Sequence, residues 1–482
     1  MKQKSCILLL VFFLATIPCL AATCHVVTSS GSGTKNGSDW TNAYQGLPST
    51  LIRGDSYYLA DGNYGSYTFN TSGSTPITIY KATAGSHCTD TGWNTGTMGA
   101  ASATFTQWNE GSSSGGNYTL TGVFGDFNGT ALPTSGAFGI LLDGSTCHSG
   151  SLGRCVELDG GENQNFRNVT FSYIEVQGTG ATSSANTNTP DDLVYYGGSS
   201  GLTLDHMYLH DSSCDFTFGY GSNNLTVQYS YFYKNWGAGS CHGQVSWNGG
   251  TNTNPTWRYN TFRTIEGTAV ITAATAGGGT SLSGLKMYGN TFYWGGTGDK
   301  SNYQCLGNGL ISCVNSGVSC SNITFYNNTV VGFPADNSNG GPSSCGASGA
   351  GFYDDGSATW SGLTYENNVW YGNKTSSTPG SHISNIIQDH NSWLNNSDSA
   401  SGTANVISGS ATNPFVTWSG IGNLDAHLLA DSSTVNNWSS LTVPYNVDPD
   451  GINRTTNRGA YQYRSSTTSA VNAPTGLVAS VQ

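Results

Sequence analysis

Between Asn168 and Tyr371 apolar and polar residues alternate in seven related stretches. They read NVTFSYIEVQ from Asn168, GLTLDHMYLH from Gly201, NLTVQYSYFY from Asn224 and NPTWRYNTFR from Asn254, then GLKMYGNTFY from Gly284, NITFYNNTVV from Asn322 and GLTYENNVWY from Gly362. They superpose without a gap. The second position is Val169, Leu202, Leu225, Pro255, Leu285, Ile323 and Leu363, and the fourth is Phe171, Leu204, Val227, Trp257, Met287, Phe325 and Tyr365. The ninth is Val176, Leu209, Phe232, Phe262, Phe292, Val330 and Trp370. Apolar residues at two and four with a polar residue between them have strand periodicity. A strand of this kind cannot bury its apolar face alone, so the units must stack.

By subtraction, successive units start 33, 23, 30, 30, 38 and 40 residues apart. A helical repeat does not tolerate such spacing. A parallel β-solenoid does, because extra residues leave as loops while each strand keeps its rung. A sandwich of many short strands is the rival, but sandwiches show no single repeated template. Position seven becomes Asn260, Asn290, Asn328 and Asn368 in the last four units. Asn suits a bend at positions five to seven, and stacked Asn side chains can bond from rung to rung. The repeat resembles the parallel β-helix of pectate lyases and their relatives, and that resemblance implies the right hand. The expected fold is all-β, a right-handed parallel β-helix with a short N-terminal capping helix.

Five regions are expected: a signal peptide at 1–21, a cap and early rungs at 22–160, and the central β-helix at 161–374. Last rungs and a C-terminal cap follow at 375–465, and a linker tail at 466–482. In the first, Lys2 and Lys4 precede an apolar run from Ile7 to Ile17 and then Ala21 and Ala22, the layout of a secretory signal. Ser38 or Asp39 is placed to cap a helix from Ala43 to Leu51. The opening, with its LADG-Tyr turn, resembles the N-terminal cap of secreted β-helix proteins. DPDGINRTTNRGAYQY, Asp448 to Tyr463, resembles the closing motif of secreted bacterial ones. Its acidic turn makes calcium the one candidate cofactor, although an EF-hand's other ligands are missing.

Composition narrows the partners. The net charge is −12, and −14 once Lys2 and Lys4 are removed. That disfavours nucleic acid and anionic membranes, and also a strongly anionic sugar unless a local basic cluster exists. No later segment is long enough to span a membrane. The expected partner is a polysaccharide, met by a monomer in the periplasm or outside a bacterial cell.

Ten Cys follow the signal segment, an even number in an exported chain, so disulfides are the default. Equivalent points of neighbouring units pair Cys214 with Cys241 and Cys305 with Cys345, within disulfide reach across one rung. Cys313 with Cys320 and Cys147 with Cys155 would close loops, leaving Cys24 and Cys88. No Cys-x-x-Cys occurs, and no metal site is expected.

Chemistry follows from columns of equivalent positions. Position ten reads Gln177, His210, Tyr233, Arg263, Tyr293, Val331 and Tyr371, and position eleven begins Gly178, Asp211, Lys234, Thr264 and Trp294. Position five includes Asp205, Gln228 and Arg258. Stacking would bring His210, Asp211, Tyr233, Lys234, Arg263, Tyr293 and Trp294 together on the surface, where aromatic rings suit sugar faces. The alternative is that such ladders only protect the rungs.

Asp215 and His242 lie further along the same units. The His-Gly pair at His242, preceded by Asp191, Asp192 and Asp215, resembles the polygalacturonase family, which implies hydrolysis by an acidic cluster. That family's Asn-Thr-Asp and Arg-Ile-Lys motifs are absent. HGQVSWNGGTNTNPTWRYNTFR resembles the chondroitinase B and alginate lyase family, which implies a base and cations acting on a uronate. Lys234, Arg258 and Arg263 would serve there, with His242 as an alternative base. The expected function is a polysaccharide lyase or glycoside hydrolase using Asp215, Lys234, His242, Arg258 and Arg263. A non-catalytic glycan-binding or adhesive solenoid is the alternative, and a purely structural one the third.

Overall fold

The structure is a computed structural model. It describes residues 23–122, 132–134, 137–144, 153–157, 167–178, 191–235, 243–265, 267–275, 279–295, 308–333, 351–374, 377–400, 402–419, 422–429 and 434–464. Cys147, Cys241, His242, Cys305 and Cys345 lie outside these residues.

The central rungs run through three faces, and each strand pairs in parallel with its counterparts in the neighbouring rungs. The first face holds Thr170–Ser172, Thr203–Asp205, Thr226–Gln228, Thr256–Arg258 and Lys286–Tyr288, and continues into Val318–Tyr326 and Thr359–Glu366. The second holds Ile174–Gln177, Tyr208–Ser212, Tyr231–Asn235, Thr261–Ile265, Thr291–Tyr293, Thr329–Val331 and Val369–Tyr371. The third holds Asp191–Gly197, Thr217–Tyr220, Ser246–Gly249, Ile271–Ala273, Ile311–Cys313 and Phe352–Asp354. This is the right-handed parallel β-helix, the hand that parallel strand-to-strand crossovers take. Strands Cys24–Thr28, Ser56–Leu59, Ile77–Lys81 and Tyr118–Thr121 extend the first face toward the N-terminus.

The register is the one the repeat implies. Positions two, four and nine are buried in one continuous apolar core, Pro255 included. Phe232, Phe262 and Phe292 stack face to face with ring centres 4.9 and 4.6 Å apart. The Asn ladder forms as well. Asn260 donates to Asn290 (3.1 Å), Asn290 to Asn328 (3.0 Å), Asn328 to Asn368 (3.2 Å) and Asn368 to Asn391 (2.8 Å). The left-handed bend lies one residue earlier, at position six, where Asn327 and Asn367 have φ of 54° and 60°. Position seven can therefore turn inward.

Two terminal features differ from expectation. Asp39 does cap a helical turn, but only the 3-10 turn Trp40–Asn42. The helix to Leu51 does not form, because Tyr44 and Gln45 instead pair in parallel with Val27 and Thr28. Main-chain bonding to an existing strand edge outweighs the weak propensity of a short isolated helix.

At the other end, the segment after Ser408 returns along the outside of the second face. Phe415, Leu424, Val435, Ala460 and Tyr461 pack on Tyr293, Val331, Val369 and Leu394 as a second apolar core. Gly459 donates its N–H to Asn367 O (2.7 Å), and Ala460 to Thr329 Oγ1 (2.8 Å). In the closing motif, Asp448 accepts the N–H groups of Asp450, Ile452 and Gln462 at 3.0, 2.8 and 3.1 Å. Buried Arg458 donates to the carbonyls of Asn391, Ala404 and Asn437. Both side chains supply partners that an irregular buried backbone lacks.

Disulfides join Cys24 to Cys88 and Cys313 to Cys320. Cys155 and Cys214 are also disulfide-bonded, and their expected partners are outside the described residues. Disulfides of this number are a mark of an oxidising compartment. Among the described residues no helix is long and apolar enough to cross a membrane.

Candidate functional site

The second face carries the expected column: Gln177 pairs with His210, His210 with Tyr233, Tyr233 with Arg263, and Arg263 with Tyr293. His210 is held on both sides. Its Nε2 lies 3.0 Å from Glu175 Oε1 and its Nδ1 2.6 Å from Asp211 Oδ2, while its ring stacks on Tyr208 at 4.2 Å. Burial disfavours the charged imidazole, but the hydrogen bonds to Asp211 and Glu175 outweigh it and raise the pKa above the ordinary value. His210 is thereby biased toward the cation.

Tyr233 lies between two cations on neighbouring positions. Lys234 Nζ is 5.0 Å from its ring centre and the Arg263 guanidinium 5.1 Å. Arg263 also reaches Asn423 and lies 5.8 Å from the ring of Tyr293. Asp211 and Lys234 stand at the corner between the second and third faces, both with φ of 56°. The next rung holds Thr264 there with φ of 51°, and later rungs hold Gly332, Gly372 and Asn395. A left-handed Asp or Lys costs backbone energy that glycine avoids, which directs attention to what the side chains do. The central rungs thus bring His210, Lys234 and Arg263 together with Glu175, Asp211, Tyr208 and Tyr233, and of these Lys234 and Asp211 are half-buried while His210, Arg263 and Tyr233 are 3%, 6% and 9% exposed.

Other expected residues fall elsewhere. Tyr293 and Trp294 are 1% and 5% exposed, so neither is an open stacking surface. Tyr293 instead shares a 2.8 Å hydrogen bond with Tyr231 and meets Trp418 edge-on, under the returning segment. Their position faces outward as the register requires, but residues from far along the chain cover it. Arg258 is on the first face, bonded to Gln228 Oε1 (2.8 Å) and Tyr288 OH (3.1 Å), and is not part of the cluster.

Asp215 is buried near the corner of the second and third faces. Its ligand atom, those of Asp192 and the sulfur of Cys214 lie within 4.8 Å of one another. Cys214 is disulfide-bonded, so its sulfur is no thiolate ligand. Burial first, and then the charge of Asp192, push the Asp215 carboxyl well above the usual carboxylate range, against a 2.8 Å hydrogen bond from Gln244 N–H.

Glu175, Tyr208 and Asn423 escape the repeat analysis. Glu175 carried a signal, a charge at position eight of an otherwise uncharged strand. Asn423 carried none, since it lies outside the repeat.

No family model matches the chain, and no curated protein does. Among solved structures, pectate lyase Pel9A is similar at 13% identity, over 92% of this chain and 97% of that one, with a TM-score of 0.45. A mannuronic acid specific polysaccharide family 6 lyase from human gut microbiota is similar at 11% identity, over 80% and 82%, with a TM-score of 0.38. The catalytic unit of the thermostable GH87 α-1,3-glucanase from Streptomyces thermodiastaticus strain HF3-3 is similar at 11% identity, over 75% and 64%, with a TM-score of 0.31. The chain thus spans under two thirds of that glucanase unit's length.

Proposed function

We propose that this protein is exported and cleaves a uronate-containing polysaccharide by β-elimination on the second face. One observation carries the reading: His210, Tyr233, Lys234 and Arg263 converge on adjacent rungs, with His210 biased toward its cation by Glu175 and Asp211. Elimination from a uronate needs its carboxylate neutralised, so that the C5 proton can leave, and a group that moves that proton. Arg263 neutralises the carboxylate, and His210, with both ring nitrogens taken by Glu175 and Asp211, orders the face beside Tyr233. Tyr233, beside two cations and acting as its phenolate, takes the C5 proton, and the phenol so formed gives that proton to the O4 leaving oxygen as the C4–O4 bond breaks and the C4–C5 double bond forms. Lys234 anchors a neighbouring uronate. Asp215 and Arg258 lie off this cluster and are assigned no step, and neither is His242.

The test is a panel of uronate and neutral polysaccharides with the purified protein, following unsaturated product and new reducing ends together. A rise in both supports elimination. A rise in reducing ends alone makes the protein a hydrolase, and binding without either makes it a non-catalytic glycan-binding solenoid.

A further inference from the structure

We propose a second polysaccharide-binding strip along the corner between the first and second faces, one rung edge away from the candidate site. Tyr173, His206, Tyr229 and Tyr259 follow Ser172, Asp205, Gln228 and Arg258, which pair in register, so they occupy equivalent places on four successive rungs. All four have left-handed backbones, with φ of 54°, 51°, 50° and 60°. The same corner is filled later by Gly289, Asn327 and Asn367. Glycine and asparagine take this conformation readily, while a bulky side chain is an outlier there. Histidine is tolerated there better than tyrosine, so the outliers are Tyr173, Tyr229 and Tyr259, and their repetition, with side chains outside the apolar core, favours a role for those side chains.

Their rings rise along the axis in steps of 4.5, 4.9 and 5.0 Å. Beside them runs a polar rail. Asp205 accepts from Gln228 Nε2 at 3.0 Å and lies 2.9 Å from His206 Nδ1, and Gln228 accepts from Arg258. Tyr173, His206 and Tyr229 are half-buried. At Tyr259 the strip ends, because its hydroxyl donates to Val447 O (3.3 Å) of the returning segment.

The rings stack on one another, so the strip offers edges and polar tips at a constant rise rather than flat platforms. A ligand that matches has hydroxyl groups repeating at about one pyranose per rung. That is an extended linear polysaccharide lying along the axis. The rail holds both an acid and a base, so it suits hydroxyl-rich stretches rather than runs of charge. The strip would hold a long chain while the second face acts on it, so this proposal rests on the reading of the protein as polysaccharide-active.

The experiment replaces Tyr173, His206 and Tyr229 by asparagine, the residue that later rungs use at this corner. Affinity for the long polysaccharide that the wild-type protein binds is measured beside turnover of short oligosaccharides. The strip predicts at least fivefold weaker binding of the long chain, with unchanged turnover of short ones and an unchanged melting temperature. Unchanged long-chain binding overturns the strip alone. Wild-type protein that binds no polysaccharide overturns both the strip and the functional reading. Should the triple variant fail to fold, Gln228→Ala on the rail gives the same comparison.

Discussion

Arg263 of the second face donates to the carboxamide oxygen of Asn423, 160 residues later in the chain. One hydrogen bond thus ties a middle rung of the solenoid to the segment that returns along its outside. On the proposed reading, the oxygen of Asn423 competes with a substrate carboxylate for the guanidinium.

Asn423→Asp therefore places a competing anion on Arg263. If Arg263 neutralises a uronate, KM should rise about tenfold and kcat should fall as well, since the neutralisation also acts as the C5 proton leaves. Asn423→Ala should leave KM the same or lower. Steady-state kinetics on the active polysaccharide decide between these outcomes, and equal KM in all three proteins would detach Arg263 from substrate.

Glu175 acts through His210, and its effect should appear in the pH profile. The raised pKa keeps the imidazole charged past its ordinary range, so on the proposed reading activity should fade as pH rises through the raised value. Glu175→Gln removes one of the two carboxylates, so the alkaline limb should move to lower pH. An unmoved limb would mean that the charge on His210 is not used.

His427 fastens the returning segment. It lies 2.5 Å from Asp425 and 2.8 Å from Asp450, which Arg464 also reaches. Burial opposes the charge, but the hydrogen bonds to Asp425 and Asp450 win and raise the pKa to about 9. A raised folded-state value stabilises fully below the ordinary 6.5 and is lost as pH rises through about 9. His427→Gln should lower the melting temperature at slightly acid pH and have little effect well above the raised value. A uniform loss across pH would show that the charge plays no part.

The Asp192–Asp215 pair gives a pH dependence of the same sign for the opposite reason, because here the fold disfavours the charged form. The folded state keeps a proton on Asp215 that the unfolded chain releases near its ordinary pKa of 3.8. Stability therefore falls as pH rises above that value toward the raised one. Asn can still accept from Gln244 N–H, so Asp215→Asn should raise the denaturation midpoint at neutral pH and leave it unchanged in strong acid. A loss of stability at neutral pH would mean that the ionised carboxylate is needed.

Asn290 accepts from Asn260 N–H at 3.0 Å and from its amide at 3.1 Å, and donates to Trp257 O at 2.9 Å. Asn290→Ala leaves these buried groups without it, at a cost of about 3 kcal/mol. Phe262→Ala should cost about 3–5 kcal/mol, since both faces of the ring are packed. Denaturant unfolding that finds either variant as stable as the wild type would contradict the observed rung packing.

The solenoid was legible in the sequence because its determinants are local and repeated. Apolar residues at positions two, four and nine and Asn at seven mark one strand pattern, and stacking turns each aligned position into a column. The His210–Tyr233–Arg263 column could be read in that way, and so could the Asn ladder. Other features depended on residues outside any repeat. Whether Tyr293 is a sugar platform or part of a core was decided by Phe415 and Trp418, which pack against the face from far along the chain. Asp192 and Asp215 meet where a corner turns both carboxylates into one buried place, and Asn423 finds Arg263 only because the chain folds back. Periodicity states which side of a strand a residue takes. What later covers that side depends on contacts between segments that share no pattern, and only the tertiary structure brings those segments together.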